Sequence, residues 1–373
     1  MPDVPNPSSL RPRAERASAR VDRSAIAANV ARMAGEAPRS ALCAVVKADG
    51  YGHGAVTAAH AALDGGATWL AVSTATEASE LRAAGIDARL LVMGPLTAEE
   101  LRESLDADAD VVAWTDALLD AASALGGARI HVKYDTGMGR LGTRDPEKAL
   151  GLLRRCVETP GLQAAGLMTH FATADELGDR FFGEQLARFL DWLPQAKAIA
   201  PEAVAHAANS AGILRDDACH LDMVRPGVSI YGLDPFGADP RPRELTPALT
   251  LSASLGAVRR VKAGETTGYG RRWVADDDGF IGIIPVGYAD GWRRGLTGRA
   301  EALVDGRRRP LVGTVSMDSV AVDLGPEPVA VGSEVVLIGA QGDERILVED
   351  LARTLGTINY EITCGLGPRV PRR

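Results

Sequence analysis

Cys43-Ala44-Val45-Val46-Lys47-Ala48-Asp49-Gly50-Tyr51-Gly52-His53-Gly54 is an apolar run that ends in a lysine and passes into alternating glycines. Val45 and Val46 favour a buried strand, and the glycines permit backbone angles and close approaches that side chains forbid. The stretch therefore predicts a strand that delivers an amine to a flexible loop. In a parallel α/β barrel the C-terminal ends of the strands form the active-site face. A lysine beside a glycine turn is also the appearance of an ordinary solvated strand end, so the rest of the chain has to decide between the two.

The alternation continues on both sides of that lysine. Upstream, Ile26, Val30 and Met33 recur at helical spacing behind Asp22 and Ser24. Downstream, Ala55–Leu63 supplies the next helix. Strand-like runs follow at Thr68–Val72, Arg89–Met93, Asp110–Trp114, Arg129–Lys133, Leu162–Thr169, Val204–Ala207 and His220–Val224, separated by alanine- and leucine-rich helical stretches. With the lysine strand they make eight, which predicts an N-terminal (β/α)8 TIM-like barrel.

Near residue 240 the texture changes. Pro235, Pro240, Pro242 and Pro247 cluster, and helical alternation stops. Strand signals follow at Leu249–Val261, Phe280–Val286, Glu301–Val304, Val315–Val322 and Glu334–Ile338, with one helix at Val348–Leu355. The predicted division is a disordered lead-in over 1–19, a barrel over 20–243, and a β-strand-rich C-terminal domain over 244–373.

Composition narrows the function classes. A net charge of −8 argues against nucleic acid as a partner, because phosphate backbones need a clustered basic face. The runs Arg307-Arg308-Arg309 and Arg372-Arg373 read as solvated faces. The four scattered cysteines have no zinc-ligand spacing, so no metal is expected and a reduced, cytoplasmic setting fits. The N-terminus lacks the apolar core of a secretory signal, and no apolar run is long enough to span a membrane.

Several strand ends carry chemistry. Ile130-His131-Val132-Lys133-Tyr134-Asp135-Thr136-Gly137-Met138-Gly139-Arg140 repeats the strand-to-glycine pattern, and Arg140 could hold a carboxylate through two parallel hydrogen bonds. His170 ends the strand Leu167-Met168-Thr169. Asn209-Ser210 and Arg225-Pro226-Gly227-Val228 follow the last two strands, where barrels commonly hold phosphate on a helix N-terminus and exposed backbone N–H groups. An amine, an arginine and a phosphate cradle on one face fit pyridoxal 5′-phosphate, with Lys47 as its Schiff-base lysine.

These stretches resemble the signatures of bacterial alanine racemases, and the match continues through Gly268-Tyr269-Gly270, Gly287-Tyr288-Ala289-Asp290-Gly291, Ser316-Met317-Asp318 and Thr357-Ile358-Asn359-Tyr360-Glu361. The resemblance implies a barrel plus β-domain, paired head to tail in a homodimer with shared active sites. It implies two catalytic bases, Lys47 and, from the partner subunit, Tyr269. It implies His170 beside that tyrosine and linked to Arg225, which faces the pyridine nitrogen. Tyr51, Asn209, Ser210, Gly227, Val228 and Tyr360 would complete the cofactor site, most of them around the phosphate. Arg140 and the Met317 backbone would clamp the substrate carboxylate, and Lys133 is a candidate carbamylated lysine that orients Arg140. Asp175, Tyr288, Arg294 and Asp318 would line the entry corridor. Thr314 departs from the pattern, since many members carry arginine there.

The implied function is interconversion of L- and D-alanine for peptidoglycan synthesis. The alternatives are a racemase of another small amino acid such as serine, a PLP amino-acid decarboxylase, and a non-enzymatic PLP-binding homeostasis protein. The β-domain with Gly268-Tyr269-Gly270 argues against the last, and the Asp135–Arg140 and Ser316-Met317-Asp318 stretches favour a racemase over a decarboxylase.

Overall fold

The structure is a computed structural model that describes residues 16–373. After strand β1 (Ala17–Val21) come β2 (Ala41–Val45), β3 (Trp69–Val72), β4 (Arg89–Val92), β5 (Ala109–Ala113), β6 (Ala128–Lys133), β7 (Leu162–Met168), β8 (Val204–His206) and β9 (Met223–Val224). Strands β2 to β9 are parallel and close into a barrel, with Ala41 and Leu42 of β2 paired to Met223 and Val224 of β9. All residues of β3 and β5 are buried, as expected of strands covered by helices outside and packed side chains inside.

The covering helices are α1 (Arg23–Glu36), α2 (Ala55–Asp64), α3 (Ala75–Ala83), α4 (Ala98–Asp106), α5 (Asp116–Ala124), α6 (Pro146–Glu158), α7 (Phe181–Ile199) and α8 (Ser210–Arg215). Their starts are written locally. Thr74 with Glu77, and Thr97 with Glu100, form reciprocal capping boxes. Asp145 caps α6 ahead of Pro146 in its first turn. Each such cap contributes about 1 kcal/mol.

Residues 249–373 form a second compact unit, together with the described N-terminal residues up to Asp22. Its main sheet has nine strands, and β1 lies at one edge, antiparallel to Leu249–Ser254 with Ala17 opposite Ala253. The disordered lead-in expected over 1–19 is thus corrected from Ala17 onward; residues 1–15 lie outside the described residues. The polar composition around Ala17–Val21 hides a strand whose partner is some 230 residues away in sequence.

Other expectations need correction. The run 249–261 is two strands, Leu249–Ser254 and Ala257–Val261, because the chain changes partner at Leu255-Gly256, from Glu334–Gln341 to Gly279–Ile284. Only the second half of 315–322 is a strand, Val320–Gly325; before it the Ser316 hydroxyl bonds the Ser319 backbone and closes a turn. The arginine run belongs to a strand, Arg307–Val312, whose Arg307 and Arg308 face solvent. A second helix, Asn359–Cys364, follows Val348–Leu355.

Candidate active site

The glycine-rich stretch after Lys47 is a fixed left-handed turn, not the flexible loop its composition predicts. Ala48, Asp49, Gly50 and Tyr51 have φ of 53°, 52°, 60° and 53°. For L-residues this conformation costs about 1 to 2 kcal/mol each, so Ala48, Asp49 and Tyr51 hold strain that the surroundings must offset. They do so through specific bonds. The Glu77 carboxylate, already capping α3, accepts from the Ala48 N–H at 2.6 Å, and the Asp49 carboxylate accepts from the Ala55 N–H at 2.9 Å. Such strain persists where geometry is over-determined, which is common at functional sites. Lys47 is thereby fixed at the C-terminal end of β2.

Tyr51 is buried and stacks on Tyr231 at 5.0 Å between ring centroids. Its hydroxyl lies against Gly227, where a Cβ would come within 2.4 Å of the tyrosine oxygen. The Ser210 hydroxyl accepts from the Gly227 N–H at 2.9 Å, and Val228 starts a buried 3-10 turn beside it. Asn209 caps α8 by accepting from the Gly212 N–H. Tyr51, Ser210 and Gly227 thus gather at one end of the barrel, beyond the ends of β2, β8 and β9.

Arg225 is 3% exposed and, among the described residues, is hydrogen-bonded to no carboxylate. Its Nη1 donates to His206 Nδ1 at 2.7 Å, and its Nη2 to the carbonyls of Thr169 and Ala207 and, at 3.3 Å, to His170 Nδ1. Every partner is a neutral acceptor. Burial lowers the guanidinium to about 10, below its ordinary value yet still charged at neutral pH. The Nε–H bonds no described residue. Burial, then Arg225, Lys133, Arg140 and Lys47, push the His170 imidazole well below its ordinary value, so it is neutral.

Lys133, at the end of β6, is 3% exposed, and burial, with Arg225 and Arg140 nearby, lowers its amine to about 8. Asp135 accepts from the N–H groups of Gly137 and Gly139 and pins the following loop. Arg140 stands exposed on that loop and makes no hydrogen bond or ion pair with the described residues. Asp175 is also exposed.

In the second unit, Tyr269 is 75% exposed and Met317 52%. Both line one cleft with Thr314 and Asp318. Thr314 donates to the Tyr269 carbonyl at 2.7 Å, so the residue that departs from the arginine pattern braces the tyrosine's own backbone. Asp318 is ion-paired with Arg369 at 2.8 Å. Tyr288 and Arg294 are exposed on short 3-10 turns, and Tyr360 sits in the helix Asn359–Cys364.

Two family models match the chain: "Alanine racemase, N-terminal domain" over residues 21–235 and "Alanine racemase, C-terminal domain" over 248–373. The chain belongs to the alanine racemase family. The alanine racemase of Geobacillus kaustophilus is 43% identical over 363 residues, covering 94% of this chain and 92% of the relative. That of Symbiobacterium thermophilum is 42% identical, covering 95% and 96%. Among solved structures, the alanine racemase of the D-cycloserine producer Streptomyces lavendulae has a TM-score of 0.91 at 39% identity, covering 97% of both chains. The Bacillus anthracis alanine racemase with bound L-Ala-P has a TM-score of 0.89 at 37% identity, covering 97% of this chain and 95% of that one.

Alanine racemases are pyridoxal-phosphate enzymes, and the side chains here fit that cofactor. A side chain at Gly227 would fill the space against the Tyr51 hydroxyl, and Arg225 offers an unused N–H that suits a neutral ring nitrogen. Sequence reasoning missed the polar column behind Arg225, formed by His206, His131 and Asp110. A signal existed: Asp110 is the one polar residue in the otherwise apolar run Ala109–Ala113, and His131 shares a strand face with Lys133.

Proposed function

We propose that the chain interconverts L-alanine and D-alanine by a two-base mechanism, with Lys47 and Tyr269 of the partner subunit as the bases. The observation that carries this reading is the convergence of the strained Lys47 turn, the Tyr51–Gly227 contact and the carboxylate-free Arg225 on one end of the barrel. When bound, the cofactor acidifies the substrate Cα–H. Lys47 takes a proton from one side of Cα while the Tyr269 hydroxyl gives one to the other, and the reverse reaction exchanges these roles. Tyr51, Asn209, Ser210, Gly227, Val228 and Tyr360 would hold the phosphate side of the cofactor and Arg225 its ring nitrogen. Arg140, which makes no hydrogen bond or ion pair with the described residues, would take the substrate carboxylate together with the Met317 N–H, and a carbamate on Lys133 would orient it. Asp175, Tyr288, Arg294 and Asp318 would line the entry.

A homodimer is supported by exposed aromatic and apolar side chains in the second unit, Tyr269, Tyr288, Met317 and Ile358. The product would supply peptidoglycan synthesis in the cytoplasm, a setting that the four free cysteines suit. Incubation with L-alanine in D2O tests the activity: D-alanine should appear with deuterium at Cα. Pyruvate or ethylamine as the main product would overturn the reading.

A further inference from the structure

A polar column crosses the barrel interior from the start of its strands to their end. Asp110 lies near the beginning of β5, His131 within β6, His206 at the end of β8, and Arg225 just beyond β9. Barrel interiors are normally filled with layers of branched apolar side chains, so these buried polar groups need a reason to be there. The links are continuous: Arg225 Nη1 to His206 Nδ1 at 2.7 Å, His206 Nε2 to His131 Nδ1 at 2.7 Å, and His131 Nε2 to Asp110 Oδ2 at 3.0 Å. Arg89 reaches the same Asp110 oxygen at 2.9 Å, and Arg129 bonds the other oxygen.

The donors in this column are fixed by chemistry. A guanidinium has no acceptor, so His206 Nδ1 must accept and its ring proton must lie on Nε2. That proton donates to His131 Nδ1, which forces the His131 proton onto Nε2, where it donates to Asp110. A second proton on either ring would set two donors face to face, so both histidines are neutral. Burial acts in the same direction, depressing both imidazoles. Although burial alone would raise the Asp110 carboxyl, bonds from His131, Arg89 and Arg129 hold it below the usual range.

The backbone makes room for this arrangement. A Cβ on Gly166 would lie 2.0 Å from His131 Nδ1, and the β6–β7 register slips between Ile130 and His131. A bulge here re-aims the imidazole across the barrel.

We propose that Asp110, His131 and His206 are positioning residues that hold Arg225 as a one-directional donor toward the cofactor, by fixing both imidazoles as Nε2–H tautomers from the far end of the barrel. The proposal rests on the placing of Arg225 at the cofactor ring. It gives His170 the same constraint, because His170 Nδ1 also accepts from Arg225.

Asp110→Asn tests it. With Arg129 still donating to the remaining oxygen, the new amide N–H2 takes the place of the oxygen that His131 and Arg89 share, meets the His131 Nε2–H, and the column must flip its tautomers or break. In the holoenzyme, 15N NMR of histidine should show His131 and His206 as neutral Nε2–H rings in the wild type and altered in Asp110→Asn. With alanine as substrate, kcat should fall about tenfold, a difference of about 1.4 kcal/mol, while KM changes little. Gly166→Ala should give the same NMR signature by displacing the imidazole without removing any polar group. Arg89→Gln, which leaves the carboxylate in place, should lower thermal stability yet leave the tautomers and kcat unchanged. A wild-type spectrum with an Nδ1–H or charged ring at either position overturns the proposal, as does an unchanged spectrum or kcat in Asp110→Asn. Because the tautomers are read independently of turnover, failure of the wild type to racemise alanine would instead sink the functional reading.

Discussion

Two tyrosines mark the contrast within this molecule. Tyr51 is 8% exposed, stacked on Tyr231 and pressed against Gly227, whereas Tyr269 is 75% exposed and held through its backbone by Thr314. The barrel end around Tyr51 is built from one chain: the strained backbone is held by Glu77 and Asp49, and the two terminal nitrogens of the buried Arg225 guanidinium are bonded, which leaves its Nε–H to face the cofactor side. The cleft around Tyr269 presents a phenol hydroxyl and apolar surface to solvent. A proton-transferring phenol works best where water is excluded, so the exposed half needs covering and the buried half does not.

The sharpest way to break this contrast is to remove the exposed hydroxyl. Tyr269→Phe should retain cofactor absorbance but lower racemisation by about 10³-fold, within the usual range for losing a general acid–base group. Retained activity, followed by chiral chromatography, would sink the two-base assignment. On the buried side, Gly227→Ala forces a Cβ against the Tyr51 hydroxyl. Cofactor affinity should drop about tenfold or more, since a mispositioned anion contact costs above 1.4 kcal/mol; absorbance titration reads it.

Lys133 offers a pH test of the same buried end. Its amine, lowered to about 8, gains its free, CO2-reactive form as pH rises through that value. With 13C-bicarbonate, a carbamate signal should grow between pH 7 and 9 and be absent in Lys133→Met, whose kcat should be several-fold lower. No carbamate at pH 9 would remove this residue from the site. The smallest effect belongs to Thr314→Val, which deletes one hydrogen bond to the Tyr269 carbonyl. A typical bond of this kind is worth about 1 kcal/mol, so kcat should fall about fivefold with cofactor affinity unchanged. An equal loss of cofactor affinity would mean that Thr314 acts on more than the exposed tyrosine.

Much of the barrel was legible in the chain. Its eight strands are short, mostly apolar runs separated by helical stretches, and each predicted run contains the observed strand or overlaps it to within a residue or two. The β-unit was less legible because its strands choose partners far away in sequence. Leu249–Val261 looks like one strand until Leu255-Gly256 hands the chain from one neighbour to another, and Ala17–Val21 has no signal of its own beyond the edge it joins. At the site, the motif residues were readable as residue types, but not their state. Glycines at 50, 52 and 54 suggested mobility, whereas Glu77 and Asp49 lock that turn.

By itself the sequence determined the fold class, the family, and which lysine, arginines and tyrosines stand at strand ends, because periodicity and motif spacing are local properties of a chain. Tertiary structure alone decided that Ala48, Asp49 and Tyr51 sit in left-handed backbone and that Arg225 is buried without a carboxylate. It alone showed that Asp110, His131 and His206 stack into one hydrogen-bonded column. The physical reason is that strain, desolvation and hydrogen-bond direction are set by groups from different strands meeting in space, and no stretch of the chain contains all of them.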